Sequence, residues 1–380
     1  MRIGITCPYN IFQGSGVGEV VIALQKGLSK RGHYVRVLSP NMREYEGMIP
    51  EWMVTLGIGM NTKAFSGTQW QWTVSVDNNA IDAVFDREAF DIMHFHEPWM
   101  PFWSQQLVQR SSSVNIATLH AMSFEKMTAK TIKNVITPYT KPMIKYFDEF
   151  TAVSDAATTY FRSLSDRPVT IIPNGIDLKK YSTRPVSAIS HPTLKTIFYV
   201  GRLEDRKGLK FLLRAFNELC ARRSDVQLLI AGSGPDENKL RDYVDELQIP
   251  RVTFLGYISD EQKIHQMHRA DVFCSPARYG ESFGIVLLEA MAAGTPVVAG
   301  DNIGYIGLMR DLGALSLVNP QDTIDFARRL ELFIFNEDLR KIWQKWAKPY
   351  VKQFDYSNIV DLYENFYKKT LKKHGKRQKA

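Results

Sequence analysis

Two doubly wound α/β halves are predicted by three features of the sequence. Short β-branched runs alternate with amphipathic helical patterns, the mark of parallel βαβ units. The alternation occurs twice, on either side of the unperiodic, two-proline stretch Arg184-Pro185-Val186-Ser187-Ala188-Ile189-Ser190-His191-Pro192. The length of 380 residues, 44% of them hydrophobic, exceeds one core and suits two domains of roughly 150 to 200 residues each.

In the first half, strands are expected at Arg2 to Cys7, Tyr34 to Leu38, Ile92 to His96, Ile116 to Leu119, Glu149 to Val153 and Val169 to Ile172. The first helix is marked by Val20, Val21, Leu24 and Leu28 on one face and by Gly32 at its end. In the second half, Thr196 to Val200, Val226 to Ala231, Val252 to Leu255, Val272 to Ser275 and Pro296 to Ala299 read as strands. They alternate with helical stretches such as Leu209 to Arg222 and Phe283 to Ala293. The expected division is an N-terminal domain over 1–190 and a C-terminal domain over 191–355. A helix over 356–372 returns to the first domain, and a basic tail occupies 373–380. Two such sheets on one linker face a central cleft at the carboxyl ends of their strands, where ligands bind in open α/β folds.

Cys7, Cys220 and Cys274 lie far apart in apolar surroundings and read as small buried hydrophobes, which suits a reducing cytoplasm. The opening Met1-Arg2-Ile3-Gly4-Ile5-Thr6 runs straight into a strand and lacks the apolar stretch of a signal peptide. The longest apolar run, Phe283 to Val298, is interrupted by Glu289 and Pro296 and does not suit a membrane span. Of the net charge of +8, seven charges come from Lys368, Lys369, Lys372, Lys373, Lys376, Arg377 and Lys379. Such a tail suits an anionic lipid surface or a solvated end, and no motif for reading nucleic acid accompanies it.

Gly14-Ser15-Gly16-Val17-Gly18-Glu19 follows the first strand and opens the first helix, a place for an anion or simply a tight turn. Glu19 breaks a G-x-G-x-x-G pattern, and the second strand ends without the acid that holds a ribose, which argues against a nicotinamide dehydrogenase. Gly201-Arg202-Leu203-Glu204-Asp205-Arg206-Lys207-Gly208 joins a strand to a helix and presents Arg202 and Lys207, two cations suited to a diphosphate. A solvated basic turn is the plainer reading.

The strongest signal is Glu281-Ser282-Phe283-Gly284-Ile285-Val286-Leu287-Leu288-Glu289. On one helix, its two carboxylates would share a side about 12 Å apart, enough to address a sugar and a ribose in one nucleotide sugar. A core helix with Glu281 capping its start is the alternative. His94-Phe95-His96-Glu97 puts two histidines on one strand face, but zinc wants a further ligand, so it reads as a strand end shaping the cleft. No D-x-D pair occurs, so no metal is signalled, and Arg202, Lys207 and helix amides would neutralise a diphosphate. His120 ends an apolar strand, where a lone histidine is commonly structural.

Assembled, these residues resemble family 4 of the retaining glycosyltransferases, and within it the bacterial phosphatidylinositol mannosyltransferases. The likeness runs through the glycine loop, His94 to Pro98, the His120 strand, Ala152-Val153-Ser154, Ile172-Pro173-Asn174-Gly175-Ile176-Asp177, the Arg202/Lys207 turn and the E-x7-E segment. It implies a GT-B fold of two Rossmann-like domains, the first on the acceptor side and the second binding a nucleotide sugar. Carried over by position, it makes Arg202 and Lys207 the diphosphate cations, Glu289 the ribose acceptor and Glu281 the holder of sugar hydroxyls. His120 would meet the sugar near its reacting carbon, and Gly16 would let the first loop approach the phosphates. Ser282, Phe283, Gly284 and Ile285 would turn amides to the phosphate or sugar, while Asp260 and Lys263 fall where related mannosyltransferases contact guanine.

The resemblance therefore implies mannose transfer from GDP-mannose, with retention, onto a lipid-linked or membrane-surface acceptor such as a phosphoinositide or glycolipid. Retention would have the acceptor hydroxyl attack from the face the phosphate leaves, with no further cofactor. The implied place is the cytoplasm, at the inner face of the cell membrane. Basic Lys126, Lys130, Lys133, Lys141 and Lys145 suit an anionic membrane. The stretch Met42 to Asn79, with Trp52, Trp70 and Trp72, departs from the inositol-lipid enzymes where an acceptor would be met, and Ser15 stands where many relatives have glycine. A UDP-sugar enzyme of the same fold with a soluble or polysaccharide acceptor, a nucleotide-sugar epimerase and a non-catalytic binding protein remain as other readings.

Overall fold

The structure, a computed structural model, describes residues 1–9, 11, 16–42, 48–63, 69–74, 77–120, 131–183 and 194–375. The chain forms two compact units, Met1–Gly175 with Tyr356–Ala380, and Ile176–Asp355.

The first unit is built on β1 (Arg2–Thr6), β2 (Tyr34–Met42), β3 (Met53–Lys63), β4 (Gln69–Val74), β5 (Ile92–His96), β6 (Val114–Leu119), β7 (Glu149–Ala152) and β8 (Val169–Ile171). They form one sheet in the order β4-β3-β2-β1-β5-β6-β7-β8, parallel except for the antiparallel pair β3 and β4. β5 and β6 are buried along their whole length, as strands covered on both faces must be, and they carry His94, His96, Asn115 and Thr118 among their apolar residues. The strand order reverses between β1 and β5, which makes the carboxyl ends of these two strands the topological switch point.

The helix Gly16–Lys30 buries Val20, Val21, Leu24 and Leu28, the stripe read from the sequence. The helix Tyr356–His374 packs into the same core through Ile359, Val360, Tyr363 and Tyr367. Close packing between the two requires Gly27, since a Cβ there would lie 2.6 Å from a methyl of Val360. Arg31 binds Asp361 and Glu364 across the same contact.

The second unit carries β9 (Lys195–Val200), β10 (Val226–Ala231), β11 (Val252–Gly256), β12 (Val272–Ser275), β13 (Val297–Gly300) and β14 (Leu317–Val318). This sheet is fully parallel, in the order β11-β10-β9-β12-β13-β14, and it reverses between β9 and β12. The loops after those two strands carry the residues of interest.

The structure moves the expected boundary. The division falls at Gly175/Ile176 instead of near residue 190, because the short helix Leu178–Ser182 belongs to the second unit. Its Tyr181 is buried and donates to Glu289 at 2.5 Å. The proposed linker at 184–192 lies outside the described residues. The chain enters the first unit again at Tyr356, and the described part of its last helix ends with Lys373 and His374 bonded to Glu149.

Gly27→Leu should overpack the contact with Val360 and lower stability by about 1–3 kcal/mol. Denaturant unfolding followed by far-UV circular dichroism checks this, and unchanged stability would show that the two helices are not held in close contact.

Candidate active site

In the second unit, the turn after β9 and the loop after β12 are tied together by their backbones. The amide of Arg278 donates to the carbonyl of Arg206 at 2.9 Å. Gly208 closes the turn at φ +73°, and a Cβ there would lie 2.1 Å from the carbonyl oxygen of Pro276. Only glycine meets both demands.

On this frame a chain of charges forms. Glu281 accepts from Lys207 Nζ at 2.6 Å and from Arg206 Nη1 at 2.7 Å, both on Oε1. Arg206 reaches in turn to buried Glu204 at 2.7 Å, and Arg202 Nε lies 3.8 Å from the same carboxylate. Though burial opposes it, the carboxylates of Glu281 and Glu204 hold the Arg206 guanidinium above its ordinary value. The Arg202 side chain is 45% exposed and that of Lys207 17%. Arg206 was not among the candidates, although it stands in the same turn; its bond to Glu281, far along the chain, leaves no local signal.

The glutamates do not share a helix as the eight-residue spacing suggests. The helix is Ile285–Ala292, and Gly284 precedes it at φ +99°, a left-handed conformation that breaks the helical path. Glu281 therefore lies in the loop, where the cations of the β9 turn hold it, and it does not cap the helix. Only Glu289 is helical. It is buried and accepts on Oε1 from Tyr181 and, at 2.9 Å, from Lys263 Nζ.

Asp260 opens the helix Asp260–Arg269 and accepts from Lys180 Nζ at 2.7 Å, with Lys263 3.6 Å away. The bond from Lys180 holds its carboxyl below the usual value. Phe283 is buried edge-on to Phe354, Gly284 abuts Tyr305, and Ser282 and Ile285 complete the approach to the helix start. An N-terminus of this kind offers unpaired amides and a positive dipole end.

In the first unit, Gly16 is the exposed first residue of its helix, while Gly14 and Ser15 lie outside the described residues. His120 is buried just past β6 and bonds through Nε2 to His96 Nδ1 at 2.6 Å. His94, its ring centroid 4.2 Å from that of His96 and tilted by 45°, meets Tyr367 at 2.6 Å and Thr118 at 2.5 Å. Burial pushes His94 and His120 down to about 3 and His96 well below its ordinary value, so all three are neutral. The parallel register His94↔Ile116 and His96↔Thr118 brings the strands together, which sequence spacing does not reveal. Among the described residues, no group of His, Cys, Asp and Glu is arranged to hold a metal ion.

Lys133, Lys141 and Lys145 are exposed, Lys126 and Lys130 lie outside the described residues, and so do the side chains of Trp70 and Trp72. Trp52 packs against the first unit's core. Of the tail, Lys376, Arg377 and Lys379 lie outside the described residues. Among the described residues, no helix is long and apolar enough to cross a membrane.

Comparison with known proteins gives concordant results. The family model "Glycosyltransferase Family 4" matches residues 14–180, and "Glycosyl transferases group 1" matches 186–349. A phosphatidyl-myo-inositol mannosyltransferase of Mycobacterium leprae is 34% identical over 372 residues, covering 96% of each chain. One from Mycolicibacterium smegmatis is 32% identical over 369 residues, covering 96% of this chain and 94% of that one. Among solved structures, a sucrose-phosphate synthase from Thermosynechococcus elongatus gives a TM-score of 0.79 at 21% identity, covering 98% and 99% of the two chains. A glycosyltransferase from Rickettsia africae gives 0.75 at 18%, covering 97% and 98%. The fold is GT-B.

The neutral histidines make a pH prediction. Between their ordinary value of 6.5 and about 3, the unfolded chain takes up protons that the buried rings refuse. Their contribution is thus complete above pH 6.5 and declines as pH falls through this window. The melting temperature should drop between about pH 7.5 and about pH 5, and less steeply in His94→Gln. Equal slopes for both proteins would contradict the assignment of buried, neutral rings.

Proposed function

The chain belongs to glycosyltransferase family 4 and is a hexosyltransferase, and from that premise we propose that it moves mannose from GDP-mannose onto a phosphoinositide at an anionic membrane surface, with retention. The observation that carries the proposal is the identity of 34% over 96% of both chains with a protein named as a phosphatidyl-myo-inositol mannosyltransferase.

In this reading the second unit holds the donor. The leaving nucleoside diphosphate develops charge as the anomeric carbon becomes oxocarbenium-like, and preorganised donors lower that barrier most. Arg202, Lys207 and the amides from Ser282 to Ile285 supply those donors. Among the described residues, the protein donors to Glu281 and Glu289 both meet Oε1. Oε2 of Glu281 then serves the sugar hydroxyls and Oε2 of Glu289 the ribose. Lys263 already bridges Asp260 and Glu289, which suits a contact with guanine beside the ribose.

From the first unit, His120 acts near the reacting carbon as a neutral hydrogen-bonding group, and Gly16 admits the phosphates. The acceptor hydroxyl attacks from the face the diphosphate leaves and passes its proton to a donor phosphate oxygen, so no metal and no covalent enzyme intermediate take part. The exposed Lys133, Lys141 and Lys145 favour an anionic lipid surface. The enzyme works in the cytoplasm at the inner face of the membrane.

Incubation with phosphatidylinositol vesicles and labelled GDP-mannose, UDP-glucose or UDP-GlcNAc tests this. Label should enter lipid from GDP-mannose alone, and NMR of the product should show an α-mannoside. A preference for a UDP-sugar would overturn the donor, a β-mannoside would overturn retention, and transfer only to soluble acceptors would overturn the lipid.

A further inference from the structure

Glu97 follows β5 at the first unit's switch point, beside the end of β1. Its backbone sits at φ +53°, in the left-handed region that a glutamate rarely adopts. Glycine or asparagine would occupy such a turn at less cost, so a carboxylate there calls for a reason beyond the turn. Glu97, Pro98, Trp99, Leu119, His120 and Tyr160 line one recess, with room for about one water-sized group. Burial alone pushes the carboxyl up to about 7, and its charge is felt by the Cys7 thiol and the Tyr9 phenol.

The other polar wall of the recess has a definable proton. Among the described residues, His96 Nε2 is buried without a partner. A buried N–H is the rarer orphan, so this nitrogen is the bare one and the proton sits on Nδ1. His96 therefore donates to His120 Nε2, which leaves His120 with its proton on Nδ1. The recess is thus lined by a neutral histidine that carries its proton on Nδ1 and by the carboxyl group of Glu97. A hydroxyl is both acceptor and donor, and one hydroxyl fills the space.

We propose that Glu97 is a substrate-binding residue whose carboxylate receives a single sugar or polyol hydroxyl beside His120. The assignment rests on the reading of the chain as a glycosyltransferase for polyhydroxylated substrates, and it adds a residue to the set that meets them. The hydroxyl belongs either to the donor sugar or to the acceptor.

The test compares Glu97→Gly and Glu97→Gln with the wild-type chain in transfer, in hydrolysis of donor without acceptor, and in thermal unfolding. Glycine removes the backbone strain together with the carboxylate. Glu97→Gly should melt no lower than wild type yet lose about 10- to 100-fold in kcat/KM, the scale of a charge-assisted hydrogen bond. Glu97→Gln, which keeps a carbonyl acceptor, should lie between. Loss of transfer with donor hydrolysis intact assigns the hydroxyl to the acceptor; equal loss of both assigns it to the donor sugar. Glu97→Gly at wild-type rates in both assays overturns the proposal and leaves a turn residue. The variants are compared with whichever nucleotide sugar the wild type uses, so a wild type inactive with GDP-mannose refutes the donor assignment and not the role of Glu97.

Discussion

A pyrophosphate is strongly hydrated, so a protein that binds one gains by holding its cations in place before it arrives. In the proposed donor role, the second unit does this with shared carboxylates. Glu281 takes Lys207 and Arg206 on a single oxygen, and Glu204 braces Arg206 from behind with Arg202 at its edge. Arg206, bonded to both acids and to the carbonyl of Gly280, is a strut that fixes the spacing of the group. Arg202 and Lys207 make fewer such contacts, and in the proposed role they are the ones that meet the diphosphate. A buried carboxylate without such partners would be costly, and these contacts supply the partners of Glu281 and Glu204.

The backbone makes this arrangement stiff. Gly208 allows the β9 turn to press on Pro276, Gly304 presses on the carbonyl of Glu281, and Gly284 ends the loop just where the helix amides begin. These are close approaches that a Cβ would forbid, and they hold the loop after β12 between the β9 turn and the segment after β13. In the first unit, the equivalent device is the column from Tyr367 through His94, His96 and His120. It joins the returning C-terminal helix to the end of β6. A chain with neutral rings and hydroxyls can be buried without ion pairs, at the cost of sensitivity to acid.

Much of the fold was legible because parallel strands covered on both faces write themselves as continuous apolar runs. The second-half strands from Thr196 to Ala299 and the central first-half strands fall within a residue or two of the expected positions. The hairpin β3–β4 was not foreseen, although Leu56, Ile58 and Met60 alternate with Gly57, Gly59 and Asn61, and Trp70 and Trp72 with Gln69 and Gln71; glycine and asparagine are poor strand formers and weaken that signal. The two-residue β14 is too short to leave a pattern. At the site, the candidate residues of the β9 turn and the E-x7-E segment do meet in Lys207 and Glu281, but the helical geometry inferred from their spacing failed at Gly284. Arg206, Tyr181 and the histidine column escaped notice because each depends on partners far away in sequence.

Calorimetric titration of GDP into the wild-type chain and into the double variant Arg202→Ala, Lys207→Ala measures the electrostatic claim without needing an acceptor or a membrane. Removal of both cations should weaken GDP binding by about 100-fold or more, the scale of two charge-assisted contacts to a diphosphate, with circular dichroism unchanged. Binding within about threefold of wild type would contradict the account.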